Sequence, residues 1–175
     1  MVIKIIVTST RPLRNGGHIA EAIAPLLAEA SGKQVELVDL REVALPLLDE
    51  PEMPRMGNYQ NEHTKAWAKT ISDAEAVVWV TPEYNGFFTA AAKNAIDTLG
   101  PEWAEKPTAI VGYGFGGGGR AVPPLTQLLE NVGAKVVQGS VLLSFQEFMG
   151  ESGLDAAGLV AAHADELRAL GAQLA

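Results

Sequence analysis

The first segment whose residue types suggest chemistry spans residues 8–18, between a strand-like run and a helix-like one. It combines hydroxyl side chains, two arginines and a glycine pair directly before the helix. Backbone N–H groups at a helix N-terminus, hydroxyls and guanidinium groups are the donors that a phosphate needs. The segment therefore favours an anion site; an ordinary capped turn with solvated arginines is the alternative. The candidate residues are Ser9, Arg11, Arg14, Asn15, Gly16, Gly17 and His18.

A second segment has the sequence Pro82-Glu83-Tyr84-Asn85-Gly86. A proline and a glycine flank side chains that can stack on, or hydrogen-bond beside, a flat heterocycle. The same residues are also typical of a turn with a capping asparagine. Taken alone, this segment favours neither interpretation.

The third segment, residues 112–120, is rich in glycine and contains a G-x-G-x-x-G match at Gly114, Gly116 and Gly119. That fingerprint belongs after the first strand of a dinucleotide-binding fold, with an acidic residue ~20 positions later, and here it follows the fourth strand. We interpret the run as backbone that approaches a planar ligand closely, where side chains would collide. A merely flexible loop is the alternative.

The elements that must position these segments alternate between strand and helix. Short apolar runs predict strands, and apolar residues at helical spacing predict helices. The predicted strands are 2–7, 35–40, 76–80, 108–111 and one within 135–143, and the predicted helices are 18–30, 62–72, 90–99, 124–132 and 154–170. This alternation predicts one α/β domain over residues 1–175, with a five-stranded parallel sheet and helices on both faces. The three segments would then meet at the carboxyl edge of the sheet, where such folds bind ligands.

Residues 42–62 are irregular, with three prolines and several acids. A loop of that length within a compact domain is usually functional or part of an interface. We expect it to contribute to a subunit interface or to shape a substrate pocket.

Composition restricts the class of function. The formal net charge of -8 opposes nucleic-acid binding, and the absence of cysteine excludes thiol catalysis and cysteine metal sites. The three histidines, at positions 18, 63 and 163, show no metal-ligand spacing, so no metal site is expected. No signal peptide or membrane-spanning run is visible, and we expect a cytoplasmic protein without membrane contact.

Several motifs together resemble the NADPH-dependent FMN reductase family, which includes quinone, chromate and azo-dye reductases. They are Ser9-x-Arg11, the Pro82-Glu83-Tyr84-Asn85-Gly86 segment, Lys93-Asn94-Ala95-Ile96-Asp97, and the glycine segment ending in Arg120-Ala121. The resemblance implies a flavodoxin-like three-layer sandwich. This sequence departs from the family pattern at Thr8 and at Phe87-Phe88-Thr89-Ala90. The family's substrate preference therefore cannot be transferred to this protein.

The resemblance also implies FMN as cofactor. The first segment would hold its phosphate, and Pro82, Glu83, Tyr84 and Asn85 would line the ring, largely through backbone atoms. Its other edge would contact Tyr113, Gly114, Phe115, Gly116 and Gly117. Similar proteins are homodimers or homotetramers, and Lys93 and Asp97 would pair within one chain or across that interface.

The implied reaction is ping-pong: NADPH or NADH passes hydride to flavin N5, leaves, and is replaced by a small electron acceptor such as a quinone, azo dye, chromate or free flavin. The cofactor carries the chemistry, so no side chain need be catalytic. Two alternatives remain open at this stage. One is a flavodoxin-like FMN electron carrier, and the other is a flavin-independent interaction module on the same fold.

Overall fold

A computed structural model describes residues 2–175. The centre of the molecule is a parallel sheet. Its strands are β1 (Val2–Val7), β2 (Gln34–Asp39), β3 (Ala76–Pro82), β4 (Pro107–Gly114), β5 (Lys135–Val136) and β6 (Val141–Ser144). The spatial order is β2-β1-β3-β4, followed by β5 and β6, which both pair with the remaining edge of β4. The predicted α/β class and parallel sheet are confirmed.

The strands form where β-branched residues cluster, and their alternation divides the core in two. Ile5 and Val78 face one layer, whereas Ile6 and Trp79 face the other. Every residue of β3 is buried, as expected for a central strand covered on both faces. Neighbouring side chains of each inner strand thus enter opposite halves of the core.

Helices cover both faces of the sheet. The helices are α1 (Gly16–Ser31), α2 (Leu40–Val43), α3 (Glu62–Ser72), α4 (Ala90–Asp97), α5 (Val122–Asn131), α6 (Ala156–Ala162) and α7 (Ala164–Ala172). Apolar residues of α1, α6 and α7 fill the half of the core that contains Ile5, and those of α3, α4 and α5 fill the half that contains Trp79. None of the helices in residues 2–175 has the length and apolar character needed to cross a membrane.

The fifth strand was predicted as one piece within residues 135–143, and the structure divides it into β5 and β6. Between them Gly139 adopts a φ of 82°. The side-chain amide of Gln173 makes two hydrogen bonds to the backbone of Gln138. The oxygen of that side chain accepts from Gln138 N–H at 3.2 Å, and its nitrogen donates to Gln138 O at 2.9 Å. Between β5 and β6, these two side-chain hydrogen bonds take the place of backbone pairing with β4.

The last helix was predicted over 154–170, and the structure corrects both its start and its continuity. A hairpin of β7 (Met149–Gly150) and β8 (Gly153–Leu154) precedes it. Asp155 caps α6 by accepting the Gly158 N–H at 2.9 Å, which sets the start at Ala156. The backbone leaves helical geometry at His163, so the remainder forms a separate helix.

The irregular segment 42–62 is more ordered than its sequence predicts. It begins within α2, and a 3-10 helix (Pro54–Met56) lies in its middle. A second 3-10 helix (Pro101–Trp103) follows α4. Helix α1 also begins at Gly16, two residues earlier than predicted, because the glycine pair is accommodated in its first turn.

Candidate functional site

A cleft of about 270 Å³ opens at the carboxyl ends of β1, β3 and β4. Each of the three segments selected from the sequence contributes to its walls, together with residues that follow β6. The lining residues are Arg11, Leu13, Arg14, Asn15, Pro82, Glu83, Tyr84, Tyr113, Gly114, Phe115, Phe145 and Met149. The expectation that the segments converge at this edge of the sheet is thereby confirmed.

Below the cleft, two buried hydroxyl groups face the first turn of α1 without a hydrogen-bond partner. Ser9 is 1% exposed and Tyr113 is 4% exposed, and neither side-chain oxygen makes a hydrogen bond of normal geometry within residues 2–175, although Ser9 lies close enough to Tyr113 to oppose the effect of burial on the pKa of its phenol. A methyl group on Gly16 would lie 2.5 Å from Ser9 Oγ and 2.6 Å from the Tyr113 hydroxyl. Buried polar groups are normally paired. Two orphaned donors beside a helix N-terminus are therefore the arrangement that an anionic ligand would complete.

Tyr113 is held in the form that can donate. Burial raises the pKa of Tyr113, so its phenol stays protonated at neutral pH. Its ring stacks on Phe145 with centroids 5.8 Å apart, and this contact helps to hold the ring in place. Tyr113 thus contributes an apolar wall and a polar tip at the same place.

The two arginines of the first segment differ in their surroundings. The Arg14 guanidinium forms a two-pronged ion pair with Asp39 at the end of β2 and donates to the Ser9 carbonyl at 2.5 Å. The hydrogen bond with Asp39 raises the pKa of Arg14. Arg11 is exposed at the cleft, and no carboxylate within residues 2–175 pairs with it. Arg14 therefore braces the segment, and Arg11 presents its charge to the cleft.

The second segment forms a tight turn beyond β3. Tyr84 and Phe87 exchange two backbone hydrogen bonds of 2.9 and 3.1 Å, and Asn85 and Gly86 both have positive φ, 53° and 80°. This is the Asn-Gly geometry of a two-residue hairpin turn. The turn places Tyr84 in the cleft wall, where burial raises the pKa of its phenol. Asn85 and Gly86 form the tip and do not line the cleft.

The glycine segment folds back on the strand from which it leaves. A methyl group on Gly118 would lie 2.7–2.9 Å from backbone atoms of Gly112 and Tyr113, and one on Gly112 would lie 2.9 Å from the Gly117 carbonyl. These glycines permit contact between two stretches of the protein's own backbone, whereas the sequence suggested contact with a ligand. Gly114 and Phe115 line the cleft, but Gly116 and Gly117 do not.

Comparison with known proteins decides the family. The model of the NADPH-dependent FMN reductase family matches residues 1–147. The chain belongs to this family. It is 37% identical over 167 residues to an NAD(P)H-dependent FMN reductase of Schizosaccharomyces pombe, covering 85% of this chain and 84% of the relative.

Solved structures establish a flavodoxin-like fold for this family member. The flavoenzyme NAD(P)H:(acceptor) oxidoreductase of Paracoccus denitrificans superposes with a TM-score of 0.65 at 21% identity, covering 95% of this chain and 96% of that one. An archaeal flavodoxin superposes with a TM-score of 0.62 at 16% identity, covering 99% and 96%. Reductases and flavodoxins thus share this architecture, and fold alone does not separate them.

Sequence reasoning missed several residues that shape the site of this family member. Phe145 and Met149 follow the interrupted fifth strand and lie in the cleft wall. Thr89 caps α4 by accepting the Ala92 N–H and donates to the Thr8 carbonyl, both at 3.1 Å. The position of residues 145–149 after a predicted strand was an available signal, because every parallel strand ends at the same edge. The position of Thr89 directly before a predicted helix was also a signal, because threonine is a common N-cap residue.

Other predicted residues of the family pattern lie outside the cleft. His18 is exposed and faces Glu21 at 3.7 Å, and Gly17 borders open space. Lys93 and Asp97 pair within the chain. Between them, Asn94 donates to the Pro46 carbonyl at 2.8 Å and accepts the Leu48 N–H at 3.0 Å. Part of the Lys-Asn-Ala-Ile-Asp motif therefore fixes the irregular segment.

Proposed function

We propose that the protein is an FMN-containing reductase that oxidises NADPH or NADH and reduces a small acceptor such as a quinone, azo dye, chromate or free flavin in ping-pong order. The pair of unpaired buried hydroxyls beside Gly16 carries this proposal. They lie at a helix N-terminus, within the edge where the three segments meet. Family membership supports the same activity.

The first segment would bind the FMN phosphate. Ser9 and Tyr113 supply hydroxyl donors, the first turn of α1 supplies N–H groups, and Arg11 supplies an exposed positive charge. The first turn of α1 contains no acidic residue that would oppose an anion. Arg14 contributes indirectly, because its ion pair with Asp39 holds the segment in place.

The upper cleft would hold the isoalloxazine ring. Pro82 and Tyr84 contribute one wall, and Tyr113, Gly114 and Phe115 contribute the other. FMN, when bound, supplies the two-electron redox chemistry; the protein orients it and limits access of water. The exposed apolar side chains at the opening, Leu13 and Phe115, suit a flat organic acceptor.

The electron-carrier alternative is disfavoured by the family match, which describes reductases. A flavin-independent module would leave the adjacent unpaired hydroxyls of Ser9 and Tyr113 at the start of α1 without a ligand. Each alternative predicts a different visible spectrum when FMN, and then NADPH or NADH, is added to the purified protein.

We propose that the chain acts as one domain within a homodimer or homotetramer, and that segment 42–62 contributes to the interface. Leu48 is 42% exposed and Met53 59% exposed, and both line a groove of about 540 Å³. Light scattering on the protein and on a variant lacking residues 53–59 tests the assignment. An unchanged mass and an unchanged acceptor preference would contradict it. Cytoplasmic location stays a prediction from the sequence.

The deciding experiment is a visible spectrum of the purified protein with FMN, followed by NADPH or NADH without oxygen. We expect flavin bands that bleach on addition of the nucleotide and return on addition of a quinone. Bound flavin that stays yellow with both nucleotides would support the electron carrier. Absence of flavin binding would overturn the proposal.

A further inference from the structure

The two loops that form the upper walls of the cleft are joined by a side-chain hydrogen bond. Glu83, in the turn after β3, accepts the backbone N–H of Arg120 in the glycine segment through Oε2 at 3.0 Å. Beyond the β3–β4 ladder, which ends at Pro82 and Tyr113, no other hydrogen bond within residues 2–175 links these loops. Glu83 therefore supplies the hydrogen bond that holds the two loops together beyond the sheet.

Arg120 closes the same connection from the other side. Its guanidinium lies over Gly86, where a methyl group would lie 2.4 Å from Nη2 and 2.7 Å from Cζ. Nη1 is 3.9 Å from Glu83 Oε1. Gly86 thus serves two purposes, since it supplies the positive φ of the turn and leaves room for Arg120. Each loop contributes a side chain to the backbone of the other.

The two halves of this connection differ in strength. The Glu83 side chain is 21% exposed, whereas that of Arg120 is 77% exposed. Solvent screens the ion pair between the charged groups. The bond from Glu83 to the Arg120 amide is charge-assisted and shorter, at 3.0 Å against 3.9 Å for the ion pair. The hydrogen bond to the backbone is therefore the dominant link.

The charge of Glu83 also requires an explanation. Glu83 is the one acidic residue in the cleft lining, and its neighbours there include Arg11 and Arg14. A carboxylate facing the cleft without a partner would repel the phosphate of FMN. Its engagement with Arg120 turns it towards the adjoining loop. This arrangement reconciles an acid with a site for an anion.

We propose that Glu83 is a positioning residue that sets the separation of the two walls around the isoalloxazine ring through its hydrogen bond to the Arg120 amide. The inference rests on the proposed function for its consequence, which is FMN affinity. Its geometric part concerns the protein alone. The two parts can therefore be measured separately.

The test compares Glu83→Ala, Glu83→Gln and Arg120→Ala. Glutamine keeps an acceptor oxygen for the amide, and Arg120→Ala removes the guanidinium but keeps the backbone N–H. In the FMN-free protein, we expect hydrogen exchange of the residue 120 amide to accelerate about tenfold in Glu83→Ala and to stay within about threefold of wild type in the other two. FMN dissociation constants should follow the same order.

Glu130→Ala is the matched control, because it removes an exposed carboxylate on α5 that makes no hydrogen bond within residues 2–175. We expect wild-type amide exchange and FMN affinity for it. Unchanged exchange in Glu83→Ala would overturn the inference. Glutamine behaving like alanine would also overturn it, because charge and not hydrogen bonding would then be responsible. A wild-type protein that fails to bind FMN would overturn the proposed function, while the amide exchange would still report on the connection.

Discussion

Two irregular regions of this molecule differ in whether their polar groups are hydrogen-bonded within the protein. At the cleft, Ser9 and Tyr113 bury hydroxyls that have no partner within residues 2–175. In segment 42–62, the polar groups are closely paired. Glu50 accepts the N–H groups of Gln60 and Asn61 at 2.7 and 3.0 Å, and Tyr59 donates to Glu102 at 2.7 Å.

The difference separates a binding site from a structural loop. A buried donor without a partner lowers the stability of the protein alone and is retained where a ligand supplies the missing bond. A segment that pairs its own groups needs no ligand to be stable. We therefore expect substitutions at the cleft to affect FMN binding more than folding, and substitutions in segment 42–62 to do the reverse.

The largest effect on the cleft is expected from Gly16→Ala. The new methyl group would clash with Ser9 Oγ at 2.5 Å and with the Tyr113 hydroxyl at 2.6 Å, so the two hydroxyls or the first turn of α1 must move from the positions in which we propose they bind the phosphate. We expect FMN affinity to fall about 100-fold, equivalent to the loss of one or two charge-assisted hydrogen bonds. Titration of FMN fluorescence measures the change.

Gly17→Ala is the neighbouring comparison, because a methyl group there meets no atom within 4 Å. We expect a much smaller loss of FMN affinity, and a gain in stability of up to about 1 kcal/mol from helix propensity. Equal losses in the two variants would show that helix formation, and not the space beside Ser9, governs binding.

The next largest effects are expected from tyrosine-to-phenylalanine substitutions, one in each region. Tyr113→Phe removes an unpaired buried hydroxyl, so the FMN-free protein should gain about 1 kcal/mol in unfolding free energy while FMN affinity falls about tenfold. Tyr59→Phe removes a hydroxyl that donates to Glu102 and accepts from Gly100 N–H at 3.0 Å. It should lose about 1–2 kcal/mol and keep FMN affinity. Urea denaturation and FMN titration together check the opposite signs.

Asn94→Ala tests the structural region alone. Its side chain makes two hydrogen bonds to the backbone of residues 46 and 48, so we expect a loss of about 1 kcal/mol in unfolding free energy without a change in FMN affinity. Gln127→Ala, at an exposed position on α5, is the control and should change neither quantity. A marked loss of FMN affinity in Asn94→Ala would contradict the division between the regions.

The sequence predicted the fold and the location of the site because both depend on local patterns. Apolar runs such as residues 2–7 and 76–80 specify buried strands, and parallel strands bring the loops after them to one edge. The first segment was recognisable from its hydroxyls, arginines and glycine pair before a helix. These features involve neighbours in sequence.

The remainder depended on partners distant in sequence. Arg14 and Asp39 are 25 positions apart, so nothing local showed that this arginine braces the segment. The glycines at 112 and 118 looked like room for a ligand, and the structure shows that they make room for each other's backbone. The interruption of the fifth strand depends on Gln173, at the far end of the chain. Tertiary pairing decided each of these cases.

The smallest effect we expect is a pH-dependent loosening confined to segment 42–62. The hydrogen bond from His63 at 2.9 Å lowers the pKa of Asp49, so the folded state holds this carboxylate charged more strongly than the unfolded chain does. Its stabilising contribution is present above the unfolded value of about 4 and is lost as pH falls through the lower folded value. The hydroxyls of Ser9 and Tyr113 do not titrate in that range.

Hydrogen exchange with mass spectrometry between pH 5 and pH 3, corrected for intrinsic rates, measures the loosening. Peptides covering residues 44–61 should lose protection below about pH 4, while peptides covering residues 8–16 should not. In His63→Gln, the pKa of Asp49 should move back towards its ordinary value, because the hydrogen bond and the coulombic interaction by which His63 lowers that pKa are removed. The pH dependence of residues 44–61 should then flatten. An equal loss of protection in both sets of peptides would mean that acid opens the whole molecule, and that the two regions are not independent.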